Sequence, residues 1–143
     1  MKDKFIQAYF MRVDRESGIP YKGYLGVIEN TVSAKQKYVN FGEDGGRFET
    51  VHLGHDIVIV CHEDGKLLGF PISRGWADDD GSVIDLFAGN ILAVRRTGEK
   101  FTSILESDIP YIEEYLSPVA LLEDGSIVRL PDEDVPEYKE QAE

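Results

Sequence analysis

Lys66, Arg74, Gly75 and Trp76 stand out in an acidic chain because together they have the chemistry to hold a small anion. Arginine offers a planar fork of N–H donors that fits phosphate or carboxylate, glycine lets a ligand approach the backbone, and an indole ring stacks on a planar base. The segment 71–82 that carries three of the four has neither helical nor strand period. It reads as a long connection, the kind of segment on which binding residues concentrate. The structural alternative is that Trp76 plugs the edge of the core while Arg74 pairs with Asp78, Asp79 or Asp80. The run Asp78-Asp79-Asp80-Gly81-Ser82 lacks the alternating ligands and distal glutamate of an EF-hand, so calcium is not expected there.

Glu49 and Asp85 are the carboxylates of interest, since each flanks an apolar run. A hydrolase needs such a pair as acid and base, provided that the fold brings the two within several ångströms of each other. Otherwise Glu49 is a salt-bridge partner and Asp85 a turn or cap acceptor ahead of Gly89. His52, His55, Cys61 and His62 are ligand types that zinc accepts. No paired Cys-x-x-Cys knuckle forces them together, and strand geometry points His52 away from its neighbours while His55 falls in a turn. Neither a metal nor a cofactor is expected. Cys61 ends an apolar run, where burial raises the pKa of a thiol and blunts its reactivity.

These side chains need a scaffold, and 143 residues suffice for one core. A single domain over residues 1–130 is expected, followed by an acidic, disordered tail over 131–143. The formal net charge of −12 repels phosphate backbones and anionic lipid and attracts basic surfaces. Direct nucleic-acid and membrane binding are therefore not expected. The single cysteine fits a reducing compartment, no apolar run approaches the roughly 20 residues that span a bilayer, and Met1-Lys2-Asp3-Lys4 leads into strand-like alternation rather than a signal-peptide core. A cytoplasmic location is the expectation.

Apolar groups on both faces of 4–13 predict a strand inside a sheet, paired as a hairpin with 21–28. Asn30 or Thr31 can cap a short helix over 32–38. Ile57-Val58-Ile59-Val60-Cys61 is continuously apolar and is expected to be the central strand. The glycine of Glu63-Asp64-Gly65-Lys66 suggests a tight turn with 66–70 returning antiparallel to that strand. Two more hairpins are expected across Thr97-Gly98-Glu99 and Glu123-Asp124-Gly125, and Ser107 is placed to cap a helix over 108–116 with Pro110 in its first turn. The fold class is α+β: a single domain with a mainly antiparallel, bent sheet and two short helices, near Ala34 and Ile112, packed on one side. Phe10, Val27, Phe48, Val58, Val60, Leu68, Ile91, Ile104, Ile112 and Tyr115 are the expected core.

Several segments also carry a resemblance when taken in order. They are Gly45-Gly46-Arg47-Phe48-Glu49-Thr50-Val51, the apolar strand 56–60, Gly65-Lys66-Leu67-Leu68-Gly69-Phe70-Pro71 ending in Arg74, then Ile84-Asp85-Leu86-Phe87-Ala88-Gly89-Asn90 and Phe101-Thr102-Ser103-Ile104, with a closing helix near Tyr111 and Tyr115. Over about residues 25–115 the chain resembles the "domain of unknown function 3846" family, small proteins of phages, mobile elements and Firmicutes. Ser73 stands where that family usually has Asn, and Phe41 to Asp44 read as a small insertion. The resemblance implies no activity. Taken with the lack of a catalytic constellation and the acidic composition, it suggests a non-enzymatic accessory protein of phage or mobile-element type that binds a partner macromolecule with a basic surface, for example to inhibit a host nucleic-acid-binding or defence protein. The alternatives are a protein that binds a small anionic ligand or nucleotide signal through Lys66, Arg74 and Trp76, and a hydrolase using Glu49 and Asp85. A homodimer formed through an exposed edge strand at Phe5 to Met11 is also open.

Overall fold

The structure is a computed structural model and describes residues 4–139. The chain forms β1 (Phe5–Met11), β2 (Tyr24–Glu29), α1 (Val32–Val39), β3 (Phe48–Gly54), β4 (Ile57–His62), β5 (Ile72–Ala77), β6 (Val83–Ala88), β7 (Ile91–Thr97), β8 (Lys100–Thr102), α2 (Ile109–Tyr115), β9 (Leu116–Leu121) and β10 (Ile127–Arg129). All strand pairings between these elements are antiparallel. The α+β expectation holds at that level, but the strands make two sheets: a six-stranded one in the order β2-β1-β7-β4-β3, with β8 on β7, and a four-stranded one in the order β10-β9-β5-β6.

The apolar run of β4 is buried on both faces, as its composition requires, yet it lies one place from the edge strand β3, and β7 holds the centre. One face of this sheet, with Ile6, Ala8, Phe10, Val58, Val60, Leu92 and Val94, packs under Tyr38 and Val39 of α1. The other, with Tyr9, Met11, Ile57, Ile59, Ile91 and Ala93, packs against Phe87 and Leu116 of the second sheet and Ile112 of α2. The helices therefore cover opposite faces, correcting the expectation of a shared side. A sheet apolar on both faces has to be covered twice. For the same reason β1 is an interior strand between β2 and β7, which removes the edge proposed for a homodimer.

Local chemistry explains most of the elements. Thr31 caps α1 by accepting from the Ala34 amide at 3.0 Å, which satisfies one of the first-turn donors. His55 and Asp56 both have positive φ between β3 and β4, the geometry of a two-residue hairpin turn, and the His55 ring sits edge-on to Tyr111 at 4.5 Å. Ser107 makes no cap to α2. Instead the Asp108 carboxylate accepts from the Leu105 amide at 2.9 Å and from Arg95 at 2.7 and 2.8 Å.

Three further expectations fail for identifiable reasons. Residues 66–70 do not pair with β4, whose two edges are already taken by β3 and β7. They fold into a turn closed by Leu68 N to Asp64 O and Phe70 N to Gly65 O. That leaves Leu68 exposed at 58%; Val27, also expected in the core, lies on the edge strand β2 and is 65% exposed. Residues 72–77, expected to be a loop, form β5 inside the second sheet. Their period is masked by buried Ser73 and Arg74 and by two bulges in the pairing with β6. Finally, the start of the expected disordered tail is packed: Val135 is buried, Pro136 O accepts from the Lys22 amide at 2.8 Å, and Tyr138 lies parallel to Tyr24. Residues 140–143 of that segment lie outside the described residues.

Candidate functional site

The residues singled out in the sequence divide between two cavities. The first, of about 350 Å³, is lined by Glu49 of β3, Cys61 and His62 of β4, Lys66 of the following turn and Asp85 of β6. Glu49 and Asp85 thus share a hollow. Asp85 is clasped by Lys66 Nζ at 3.1 Å, with both side chains about half exposed, and its Oδ1 also accepts from the Leu86 amide at 2.8 Å. Burial, reinforced by the Glu49 and Asp85 carboxylates, pushes the Cys61 thiol up to about 12, so at neutral pH it is a protonated and poor nucleophile. His62 is engaged: its Nδ1 accepts from the Asp64 amide at 2.9 Å and its ring lies edge-on to Phe70. His52, His55, Cys61 and His62 do not converge, and among the described residues no three His, Cys, Asp or Glu side chains are arranged to hold a metal.

The second cavity, of about 430 Å³, lies between the two sheets. Its walls are Tyr9 and Met11 of β1, Lys22 and Gly23 of the next connection, Glu113 of α2, Leu116 to Pro118 of β9, Arg129 of β10, and Leu130, Asp132 and Val135 beyond it. Arg74 of β5 forms part of this lining and is only 2% exposed. Its Nη1 donates to Ser73 O at 3.1 Å and its Nη2 to Tyr21 O at 2.6 Å. Among the described residues no carboxylate oxygen lies within 4.0 Å of it, and Asp78, Asp79 and Asp80 do not pair with it. Burial pushes the guanidinium down to about 10, which leaves it cationic at neutral pH.

Glu113 is occupied elsewhere, since the Tyr9 hydroxyl donates to its Oε2. Burial, then that hydrogen bond, pushes the Tyr9 phenol well above its usual range, so it stays a donor. The close approach of Tyr9 requires Gly23: a Cβ there collides with the phenol ring. Lys22 and Arg129 are exposed at the rim, where Arg129 Nη2 also donates to Gly81 O at 2.9 Å. Three cations against two carboxylates make this cleft locally positive in a strongly acidic chain.

The expected set of Lys66, Arg74, Gly75 and Trp76 is not assembled. Lys66 lines the first cavity and Arg74 the second. Gly75 packs against Val119 and Val83, and Trp76 stacks on Phe87 at the core. Tyr9, Lys22, Glu113 and Arg129 escaped sequence reasoning. Each sits in an ordinary strand, loop or helix pattern, and Tyr9 and Glu113, which touch, are 104 positions apart.

Comparison with family models matches residues 23–117 to the domain of unknown function 3846 family. The chain belongs to this family. Its matched segment runs from the start of β2 into β9, so it contains the whole first cavity together with Arg74 and Glu113 of the second. Tyr9, Arg129, Asp132 and Val135 lie outside the family segment. No curated protein and no solved structure matches the chain. Among the described residues no helix is long and apolar enough to cross a membrane.

Proposed function

We propose that this protein binds a small anionic ligand, one bearing a phosphate or carboxylate, in the cleft that Arg74 lines. The observation that carries this reading is a buried guanidinium without an ion-pair partner in a cavity of about 430 Å³. Burying a charge is costly unless it is compensated, and two carbonyl oxygens compensate only part of it. An incoming anion supplies the rest, with Lys22 and Arg129 at the rim to attract it. The volume falls within the range of small-molecule sites.

The test is thermal unfolding of the purified protein with inorganic phosphate, nucleoside phosphates and dicarboxylates, alongside native mass spectrometry of material expressed in a bacterial host. The expected result is an anion-dependent rise in Tm that Arg74→Met abolishes and Arg129→Ala reduces. Full shifts in both variants would refute the site.

A second reading is an accessory protein of phage or mobile-element type that docks on a basic macromolecular partner in the cytoplasm. It is supported by the net charge of −12 and by Val83 and Ile84 exposed on β6, an edge strand of the second sheet. Capture from host lysate at low and high salt tests it, with salt-sensitive recovery of one basic protein expected. Repeated recovery of none counts against it. The hydrolase reading has less support: Glu49 and Asp85 line one hollow, but Asp85 is already engaged by Lys66 Nζ and by the Leu86 amide.

A further inference from the structure

Residues 131–139 form a strap that lines the Arg74 cleft through Asp132 and Val135 and makes one backbone hydrogen bond to the rest of the chain among the described residues. Val135 inserts into the cleft wall and Pro136 O accepts from the Lys22 amide at 2.8 Å. The amides of Asp134 and Val135 bond only within the strap, to Pro131 O and Asp132 O. Segments with so few bonds to the body open at lower cost than core strands.

At its far end the Tyr138 ring occupies a built seat. It lies parallel to Tyr24 with centroids 5.7 Å apart and edge-on to Tyr21 at 5.3 Å, while the Arg12 guanidinium stands 4.5 Å from its centroid. Tyr24 is itself stacked on Phe10 at 5.2 Å and accepts from Arg12 Nε at 2.7 Å, so the platform is fixed without Tyr138. The seat and the anion cleft share one short segment: Tyr21 supplies both the carbonyl that holds Arg74 and a wall of the ring seat. Asp132 adds negative charge at the cleft mouth with no cation within 4.0 Å among the described residues.

We propose that the strap is an intramolecular stand-in for the ligand. Tyr138 takes the place of a planar base and Asp132 repels the anionic group, and a free nucleoside phosphate binds by displacing both. This rests on the anion-site reading and adds to it a ligand class and a built-in competitor.

The experiment is calorimetric titration of full-length wild type, Tyr138→Ala and Asp132→Asn with adenosine monophosphate and, separately, with inorganic phosphate. Hydrogen exchange of strap amides is followed with and without the nucleotide. Removing a stacked competitor is expected to tighten the nucleotide about tenfold in Tyr138→Ala while changing phosphate less than about twofold. Asp132→Asn is expected to tighten both about twofold to threefold. In wild type the nucleotide is expected to speed exchange in the strap. If phosphate binds but Tyr138→Ala leaves nucleotide affinity unchanged or weaker, the strap is part of the wall and the competitor is refuted while the anion site stands. If neither probe binds any of the three folded proteins, the anion site falls and the competitor with it.

Discussion

Arg74 Nη2 donates to Tyr21 O at 2.6 Å, which ties an interior strand of the second sheet to the connection leaving β1. A buried charge used in this way couples stability to the site. Arg74→Met removes both carbonyl contacts but also the uncompensated charge, so a net loss of only about 1 kcal/mol is expected. Arg74→Ala leaves a void as well and should cost about 2 kcal/mol more. Urea unfolding of the two variants checks the order, and Met equal to or worse than Ala would contradict it.

Gly23→Ala drives a methyl group into the Tyr9 ring. Overpacking of this kind costs about 1–3 kcal/mol, and here it also displaces the phenol from Glu113. The expected outcome is a lower urea midpoint together with a changed tyrosine near-ultraviolet signal. Wild-type stability in Gly23→Ala would mean that Tyr9 has room to move.

The bidentate Arg95–Asp108 pair is largely shielded, with the Asp108 side chain 9% exposed. Hydrogen bonds from Arg95, then from the Leu105 amide, hold the Asp108 carboxyl below its usual range against the opposing effect of burial. A carboxylate with a depressed folded pKa adds stability above its unfolded pKa and loses it as pH falls through the folded value. Asp108→Asn is therefore expected to cost about 1–3 kcal/mol at pH 7, with the difference from wild type shrinking below about pH 4. Chemical denaturation of both proteins from pH 3 to pH 7 reads the window directly. A constant difference would show that the charge of Asp108 is not what matters.

Cys61 is buried, with its thiol pushed up to about 12. Alkylation by iodoacetamide at pH 8 should be slower than for an unfolded-chain cysteine by on the order of a thousandfold, and should become fast in denaturant. Rapid native labelling would mean that the first cavity opens to admit reagent, which would return the hydrolase reading to consideration.

Elements governed by neighbouring residues were legible in the chain itself. The double-sided apolar pattern of β1, the continuous run of β4, the Thr31 cap and the hairpins across Gly98 and Gly125 follow from local dihedral preference and period, and the structure has all of them. Also readable were the α+β class, the burial of the single thiol and the resemblance now shown as family membership.

What the tertiary structure decided is every relation between segments distant in sequence. The division into two sheets, the helices on opposite faces and the identity of β5 depend on pairings between segments far apart in the chain, and no local pattern encodes those. Ser73 and Arg74 do not look like interior strand residues until Gly89 O and Tyr21 O are there to satisfy them. The cleft is the extreme case, because Tyr9, Arg74, Glu113 and Arg129 come from four elements and meet only when the second sheet closes on the first. Sequence alone offered Arg74 either an anionic ligand or one of Asp78, Asp79 and Asp80 as its partner. The packing of one sheet on another decided that its nearest partners are backbone carbonyls and an open cleft.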